Sequence, residues 1–480
     1  MLKIRYFSYT RTVGRNIIEM KKWVKNTLWV VFTIVLIIVI IGFAFYKRFV
    51  VYPPDYTFSN PASIKEMQLQ DLEYLAMYPD YDRSFDTQIK RDSFLSQIEN
   101  VKERLPLSGA VFEMEVAKAL AIADNGHTNI SAGARARRLN NIPLRFYWFK
   151  EGLFTILTME GYEEFLGKRI LSFNGIPPEE LLSKMKPWHG GTEENLRARS
   201  PLFFISPEIL HAMGFGKNSN SIQISIEDDS GNVYTREVFA SKEDNEIPGY
   251  WIPYWLNLYS KIDNKKWKSC KPERLNSIPI KNIYRNVHHE FIENILYVQI
   301  NDNYNTDERH LRKYLKRVTE EMKEKQPNQI VFDLRFNPGG NNYHLPWPFI
   351  RSMNEYLNED KQCWIITGNQ TFSAGLITAA YAKYTLGDKA IIVGEKVGDR
   401  MQFWADGGVK MILPNSKISP RIWTAFNDWG NGCKDFSNCF WFAYFDSFPA
   451  GNLDPDIEIL LSYYDYINGR DSVLEYIYGN

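Results

Sequence analysis

Residues Leu28 to Tyr46, LWVVFTIVLIIVIIGFAFY, run for 19 residues without a charge. Wound as a helix, such a run crosses about 30 Å, the thickness of a bilayer's hydrocarbon core. Ile, Val and Leu recur all the way round it, which leaves no polar face for water. A transmembrane helix over 28–46 is therefore expected, rather than a core helix. The preceding segment, 1–27, carries Lys3, Arg5, Arg11, Arg15, Lys21, Lys22 and Lys25 against Glu19 alone. The excess of positive charge predicts a cytoplasmic tail and an extracytoplasmic remainder. A cleaved signal peptide is the alternative, but the apolar run is long for one and no A-x-A site follows it.

The whole chain of 480 residues balances 57 basic against 57 acidic side chains. That excludes a nucleic-acid binder working through a global positive field. With the basic tail set aside, the rest is net negative by six. Apolar residues at 44% and charged residues at 24% describe a folded chain long enough for two or three cores. Aromatic residues are plentiful at 15% and cluster in RFYWF, YWIPYW and FWFAYF. Core packing accounts for most such rings, and an apolar peptide groove is the sharper alternative. Four cysteines form no C-x-x-C pair, which argues against structural zinc. Cys433 and Cys439 fit either a disulfide or two buried thiols. There is no phosphate loop, HExxH or paired-carboxylate metal motif, so no cofactor and no metal are expected.

Four regions follow the tail: the transmembrane helix at 28–46, a helical region at 52–140, a β-rich region at 141–280, and an α/β region at 281–480. In the first of the exported regions, GAVFEMEVAKALAIADNGHT places Val111, Met114, Ala117, Ala121 and Ile122 on one helical face. Asn125-Gly126 reads as the stop signal, with His127 just beyond it. In the β-rich region, Ile170, Leu171 and Phe173 read as a strand, Asn174-Gly175 as a tight turn, and Pro177-Pro178-Glu179-Glu180 as a helix start. SIQISIEDDSGNVYTREV reads as a hairpin turning at 228–231. From residue 285 strands alternate with helices: ENILYVQI, QIVFDLRFN, CWIIT and AIIVGE are strands. Asn305 with Glu308 fits a capping box for the helix that follows the first of them. The alternation implies a mainly parallel, covered sheet, and the fold class is α/β within an α+β chain.

Three segments carry residues suited to chemistry. Ser373 lies between a strand end and a helix start, at the carboxyl edge of the sheet where α/β sites form. The amide of Ala374, at the helix N-terminus, is placed to hold an oxyanion. Gly339 and Gly340 end the neighbouring strand and allow close backbone approach, so either can give a second donor. His127 can take a serine proton and return it to a leaving amine. Taken singly, each has a plainer role as cap, turn or packing residue.

Together these segments resemble the S41 family of serine peptidases, which includes the tail-specific proteases and the tricorn core protease. The matching pieces run in order from 126 to 477: GHTNI, FLGKRILSFNGIP, VFDLRFNPGGN, TFSAGLITAA, VGE, LDPDIEI and NGRDSVLEYI. The resemblance implies a serine endopeptidase with Ser373 as nucleophile and a catalytic domain of the ClpP/crotonase-like type. It also implies a PDZ-like module over 141–280 that docks peptide by strand addition. The expected substrate is a peptide or an unfolded protein, and a homo-oligomer is left open. The tail-specific branch uses a lysine 25 residues after its serine; here that position is Gly398, with Lys396 nearby as the alternative base. Gln402 matches a glutamine of that branch. His127 fits the histidine-containing branch and is the favoured base, with Thr128 as an orienting hydroxyl. Glu395 is the expected acid and Asp456 its alternative. Two other readings share the scaffold: a carrier of apolar ligands or peptides, and a serine esterase or amidase.

Overall fold

The computed structural model describes residues 2–228, 230–241, 251–258, 266–305, 310–358 and 361–479. The chain divides into two units, Met1–Val51 and Tyr52–Asn480. The first is a single helix, Leu2–Phe49. Within it Trp23–Phe49 is long and apolar enough to cross a membrane, and none of its most apolar window is buried. It suits a membrane anchor or a signal sequence by length and composition. The helix extends well before residue 28 because the tail contains no proline to stop it.

The second unit opens with helices Ile64–Leu75, Gln88–Glu103 and Gly109–Ala121. Each starts at a hydroxyl cap, Ser63, Thr87 and Ser108, that accepts an amide hydrogen bond from the first turn. The third helix does not bury the single face that its spacing suggests. It packs against both Gln88–Glu103 and helix Pro207–Ala212 and buries Phe112, Met114, Val116, Ala117, Ala119 and Leu120 around most of its circumference. It ends at Ala121, so Asn125-Gly126 lies in the turn beyond the helix.

The β-rich region gives β1 (Leu144–Phe149), β2 (Gly152–Met159), β3 (Ile170–Phe173), β4 (Ser221–Glu227), β5 (Val233–Phe239) and β6 (Trp267–Ser269). They form two three-stranded sheets, ordered β1-β2-β6 and β3-β4-β5. Asn174 and Gly175 turn with φ of 51° and 83°, the left-handed pair that a tight turn requires. The turn leads into helix Pro178–Lys184, and β4 pairs antiparallel with β5 as the hairpin pattern predicts. Every residue of β1 is buried, so RFYWF is core. Leu72, Phe94 and Leu120 from the helices share one core with Phe146, Ile170 and Ile224 from the strands. By contrast Phe442 and Phe445 of FWFAYF are exposed.

The remaining strands are β7 (Val287–Ile292), β8 (Ile295–Ile300), β9 (Gln329–Asp333), β10 (Gln362–Thr367), β11 (Ala390–Gly394), β12 (Gln402–Ala405), β13 (Ala425–Asp428) and β14 (Ile457–Glu458). Six of them make a sheet ordered β14-β11-β10-β9-β8-β7. Its pairs are parallel except β7 with β8. Side chains alternate across it. Ile330, Phe332 and Ile365 face a core shared with helices Leu311–Lys325, Trp347–Tyr356 and Ala374–Leu386. Val331, Trp364 and Ile366 face helix Ser472–Tyr478. The helix starts at Leu311 with His310, not Asn305, at its N-cap; Asn305 accepts the Leu311 amide at 2.9 Å from further upstream, and Glu308 lies outside the described residues. Arg335 joins the two ends of this region. Its Nε donates to Asp333 Oδ2 at 3.0 Å and its Nη1 to Asp471 Oδ2 at 2.7 Å. Asp471 in turn caps the last helix. Cys433 and Cys439 are joined as a disulfide, with Cα atoms 5.9 Å apart.

Candidate active site

β10 delivers the chain to the carboxyl edge of the parallel sheet, and a five-residue loop then leads to Ser373 and the helix Ala374–Leu386. The loop is fastened from within and from the segment that follows β9. Thr371 N donates to Gly368 O at 2.8 Å, and Thr371 Oγ1 donates to Leu334 O at 2.8 Å. Phe372 N donates to Asn337 O at 3.0 Å. Ser373 itself sits at φ 53°, ψ −124°, and its side chain makes no capping hydrogen bond. An ordinary serine cap has extended dihedrals and a bonded oxygen. A non-glycine residue held at positive φ costs about 1–3 kcal/mol and persists only where its surroundings impose it.

The surroundings are glycines at close approach. A Cβ on Gly339 would fall 2.8 Å from Ser373 Cβ and 2.9 Å from Ala374 N. One on Gly375 would fall 2.3 Å from Asn337 O. The glycine turn is held by a buried amide chain. Asn303 N donates to Gly339 O at 2.8 Å, Asn337 Nδ2 donates to Asn303 Oδ1 at 2.9 Å, and Asn303 Nδ2 donates to Thr378 Oγ1 at 2.9 Å. The Gly339 amide is consumed by Asn337 Oδ1 at 2.9 Å. The amides of Gly340 and Ala374 donate to no acceptor among the described residues. Ser373 is thus a hydroxyl without a capping role, flanked by two uncommitted backbone donors.

His127 is held quite differently. Its ring lies 4.6 Å from that of Phe372, 5.1 Å from that of Phe403 and 5.3 Å from that of Trp423, centroid to centroid. Trp423 Nε1 donates to His127 O at 2.6 Å. His127 Nε2 hydrogen-bonds Asp399 Oδ2 at 3.1 Å, and both side chains are almost fully buried. Asp399 Oδ1 accepts the Arg400 amide at 3.0 Å. The Arg400 guanidinium then reaches Asp124 O at 2.7 Å, Asp124 Oδ1 at 2.9 Å and Gly191 O at 3.3 Å. A donated Nε2–H leaves Nδ1 as the proton acceptor of a neutral ring. His127 and Ser373 share no hydrogen bond; the two segments meet through Phe372, the residue before the serine.

The other expected residues lie elsewhere. Glu395 borders a small cavity with Tyr147, Arg335, Gln370 and Leu461, away from His127. Burial pushes its pKa up, against the opposing pull of the nearby Asn369 and Leu461 amides. Asp456 Oδ2 accepts the amide of Ile392 at 2.8 Å, joining β14 to β11. Lys396 is exposed. Gln402 Nε2 donates to Asp428 Oδ1 at 3.0 Å, across the β12–β13 hairpin. Thr128 Oγ1 bonds Ser84 Oγ at 2.9 Å and Asn125 Nδ2 at 3.0 Å instead of orienting the imidazole. The carboxylate that bonds His127, Asp399, was not among the expected acids. The signal for it was its place in the loop after β11, at the same sheet edge as Ser373. Among the described residues no cluster of three or more metal-ligating side chains occurs.

No family model matches this chain, and no curated protein does. Among solved structures, mature CPAF complexed with lactacystin is 12% identical with a TM-score of 0.53, over 87% of this chain and 97% of that one. Mature CPAF alone is 11% identical with a TM-score of 0.53, over 86% and 96%. A photosystem II D1 C-terminal processing protease is 13% identical over 83% and 93%, with a TM-score of 0.34. The chain has the fold of mature CPAF across nearly its full length.

Proposed function

We propose that this chain, folded like mature CPAF, is a membrane-anchored serine endopeptidase acting on peptides or unfolded proteins outside the cytoplasm. One observation carries the reading: Ser373 is held at positive φ, at a helix N-terminus, with no cap to make and Gly339 pressed against its Cβ. A strained serine relieved of capping is what a nucleophile requires. In the proposed reaction Ser373 Oγ attacks the scissile carbonyl while His127 accepts its proton through the ring nitrogen not bonded to Asp399. Asp399 fixes the imidazole and balances the imidazolium that forms. Gly340 and Ala374 amides receive the oxyanion. His127 returns the proton to the leaving amine, and water completes the cycle at the acyl-serine. Asp399 takes the part for which Glu395 and Asp456 were expected. The region 141–280 supplies the peptide-docking module in this reading, and the helix Leu2–Phe49 supplies the anchor.

The test is turnover of an unfolded protein by the full-length chain in neutral detergent, beside Ser373→Ala. Cleavage lost in the variant supports the reading. Turnover of simple esters with no cleavage of unfolded protein replaces it with an esterase. Cleavage that persists in Ser373→Ala rejects it.

A further inference from the structure

A cavity of about 250 Å³ opens beside His127, and Phe372 forms part of its wall. Its other walls include the rings of Trp188, Phe203 and Trp423, beside Ala117 and Ile130. Its polar lining includes two guanidiniums, Arg135 and Arg199, and one further histidine, His189, with no carboxylate among its lining residues. A larger cavity of about 550 Å³ is lined by Ile64, Phe112 and Ile418 among others and shares no lining residue with it.

The acids that face these two guanidiniums lie outside the cavity lining. Arg135 is already engaged, in an ion pair with Glu113 at 3.6 Å. Arg199 is half-buried and lies 6.0 Å from the Phe372 ring and 5.9 Å from the Trp251 ring. No hydrogen bond or ion pair of its guanidinium occurs among the described residues. Asp399 is the acid that attracts it, but that carboxylate is already bonded to His127 and to the Arg400 amide. Burial and the two guanidiniums push His189 down to about 3, so it adds no third positive charge. Its Nε2 is buried without a partner. A guanidinium presents five N–H donors in a plane, and leaving them unmet in a sheltered site is costly. The group that matches such a fork, within aromatic walls, is a carboxylate on a short apolar stem.

We propose that this cavity is a substrate subsite that takes a carboxylate of the bound peptide on Arg199. The proposal rests on the peptidase reading, since Phe372 places the cavity one residue from the nucleophile. The carboxylate is either an acidic side chain or the peptide's C-terminus, and both present the same chemistry to Arg199.

Binding separates these cases without depending on turnover. Fluorescent nonapeptides are titrated into full-length Ser373→Ala in neutral detergent. One series scans a single Glu against Gln through each position, and a second pairs a free with an amidated C-terminus. One Glu position binding about tenfold tighter than its Gln counterpart identifies a side chain; the same gain from the free C-terminus alone identifies the chain end. Arg199→Met should bring the preferred pair within about twofold of each other, while Arg199→Lys keeps part of the difference. Pairs that all agree within twofold in the parent, which needs no Arg199 variant, overturn the proposal. So does a preference unchanged by Arg199→Met. A preserved carboxylate preference in a chain that cleaves nothing counts against the peptidase reading alone.

Discussion

Ser373 and His127 lie in the same neighbourhood but are fixed by opposite means. Ser373 is held by backbone: a strand end, a glycine turn and a helix start, clamped through the Asn337 and Asn303 amides and the Thr378 hydroxyl. His127 is held by side chains from distant segments, with Phe372, Phe403 and Trp423 around the ring and Asp399 at its edge. A backbone clamp writes itself into short motifs, because only glycine fits where Gly339 and Gly375 sit. An aromatic box leaves no motif, because its members are ordinary core residues until the fold brings them together. The serine side should therefore be intolerant of added atoms, and the histidine side intolerant of lost charge or hydrogen bonds.

The largest effect should come from Ser373→Ala, which should lower peptide turnover by about 10⁴-fold or more with the melting temperature little changed. Asp399→Asn comes next. An amide in place of the carboxylate can hold the wrong tautomer and cannot balance an imidazolium, so kcat should fall by about 10³-fold. Glu395→Gln is its control and should change kcat less than threefold; an equal loss in both variants would break the distinction between the two acids. Gly339→Ala should lower kcat by about 10²-fold and reduce thermal stability too. Its methyl meets Ser373 Cβ at 2.8 Å, and the residue sits at φ 108°.

The smallest effect concerns pH. Asp82 is buried, and burial raises its pKa to about 6 although it accepts from Ser84 and from the Trp423 amide. Trp423 in turn holds His127, so this acid lies behind the histidine side. A carboxyl raised in the folded state keeps a proton that the unfolded chain has released above about pH 4. Stability should therefore fall as pH rises from about 4 to 6 and then level off, by on the order of 3 kcal/mol from this group. Thermal melts of the parent and Asp82→Asn across that range should show the parent losing stability relative to the variant as pH rises.

The sequence exposed the serine side well. The strands β8 to β11 could be read from ENILYVQI, QIVFDLRFN, CWIIT and AIIVGE, and the turn at Gly339-Gly340 and the serine before a helix from NPGG and TFSAGLITAA. The DLR piece and the terminal NGRDSVLEYI, far apart in sequence, are joined in the fold, since Arg335 bonds Asp471. His127 could be picked out, but its acid could not. Glu395 follows β11 two residues after Val393, and strand alternation sends it to the face of Val393 and Val473, away from the helix that begins after Ser373. Asp399 reaches His127 only because the loop after β11 folds back under the clamp of Arg400. Thr128 adjoins the histidine in sequence but turns to the Asp82–Ser84 pair, because the tight turn at Asn125 to Thr128 points the two side chains apart. The Asp399 and Thr128 outcomes do not follow from spacing alone, since each depends on contacts between segments more than forty positions apart.

The most direct test of the account is the site and rate of covalent labelling by a fluorophosphonate. Full-length protein is treated in neutral detergent, digested, and mapped by tandem mass spectrometry. The account predicts a single adduct on Ser373, formed at least about 10²-fold more slowly in His127→Ala and in Asp399→Asn but at the parent rate in Glu395→Gln. An adduct on another residue, no adduct in the folded parent, or a rate on Ser373 indifferent to both His127 and Asp399 would contradict it.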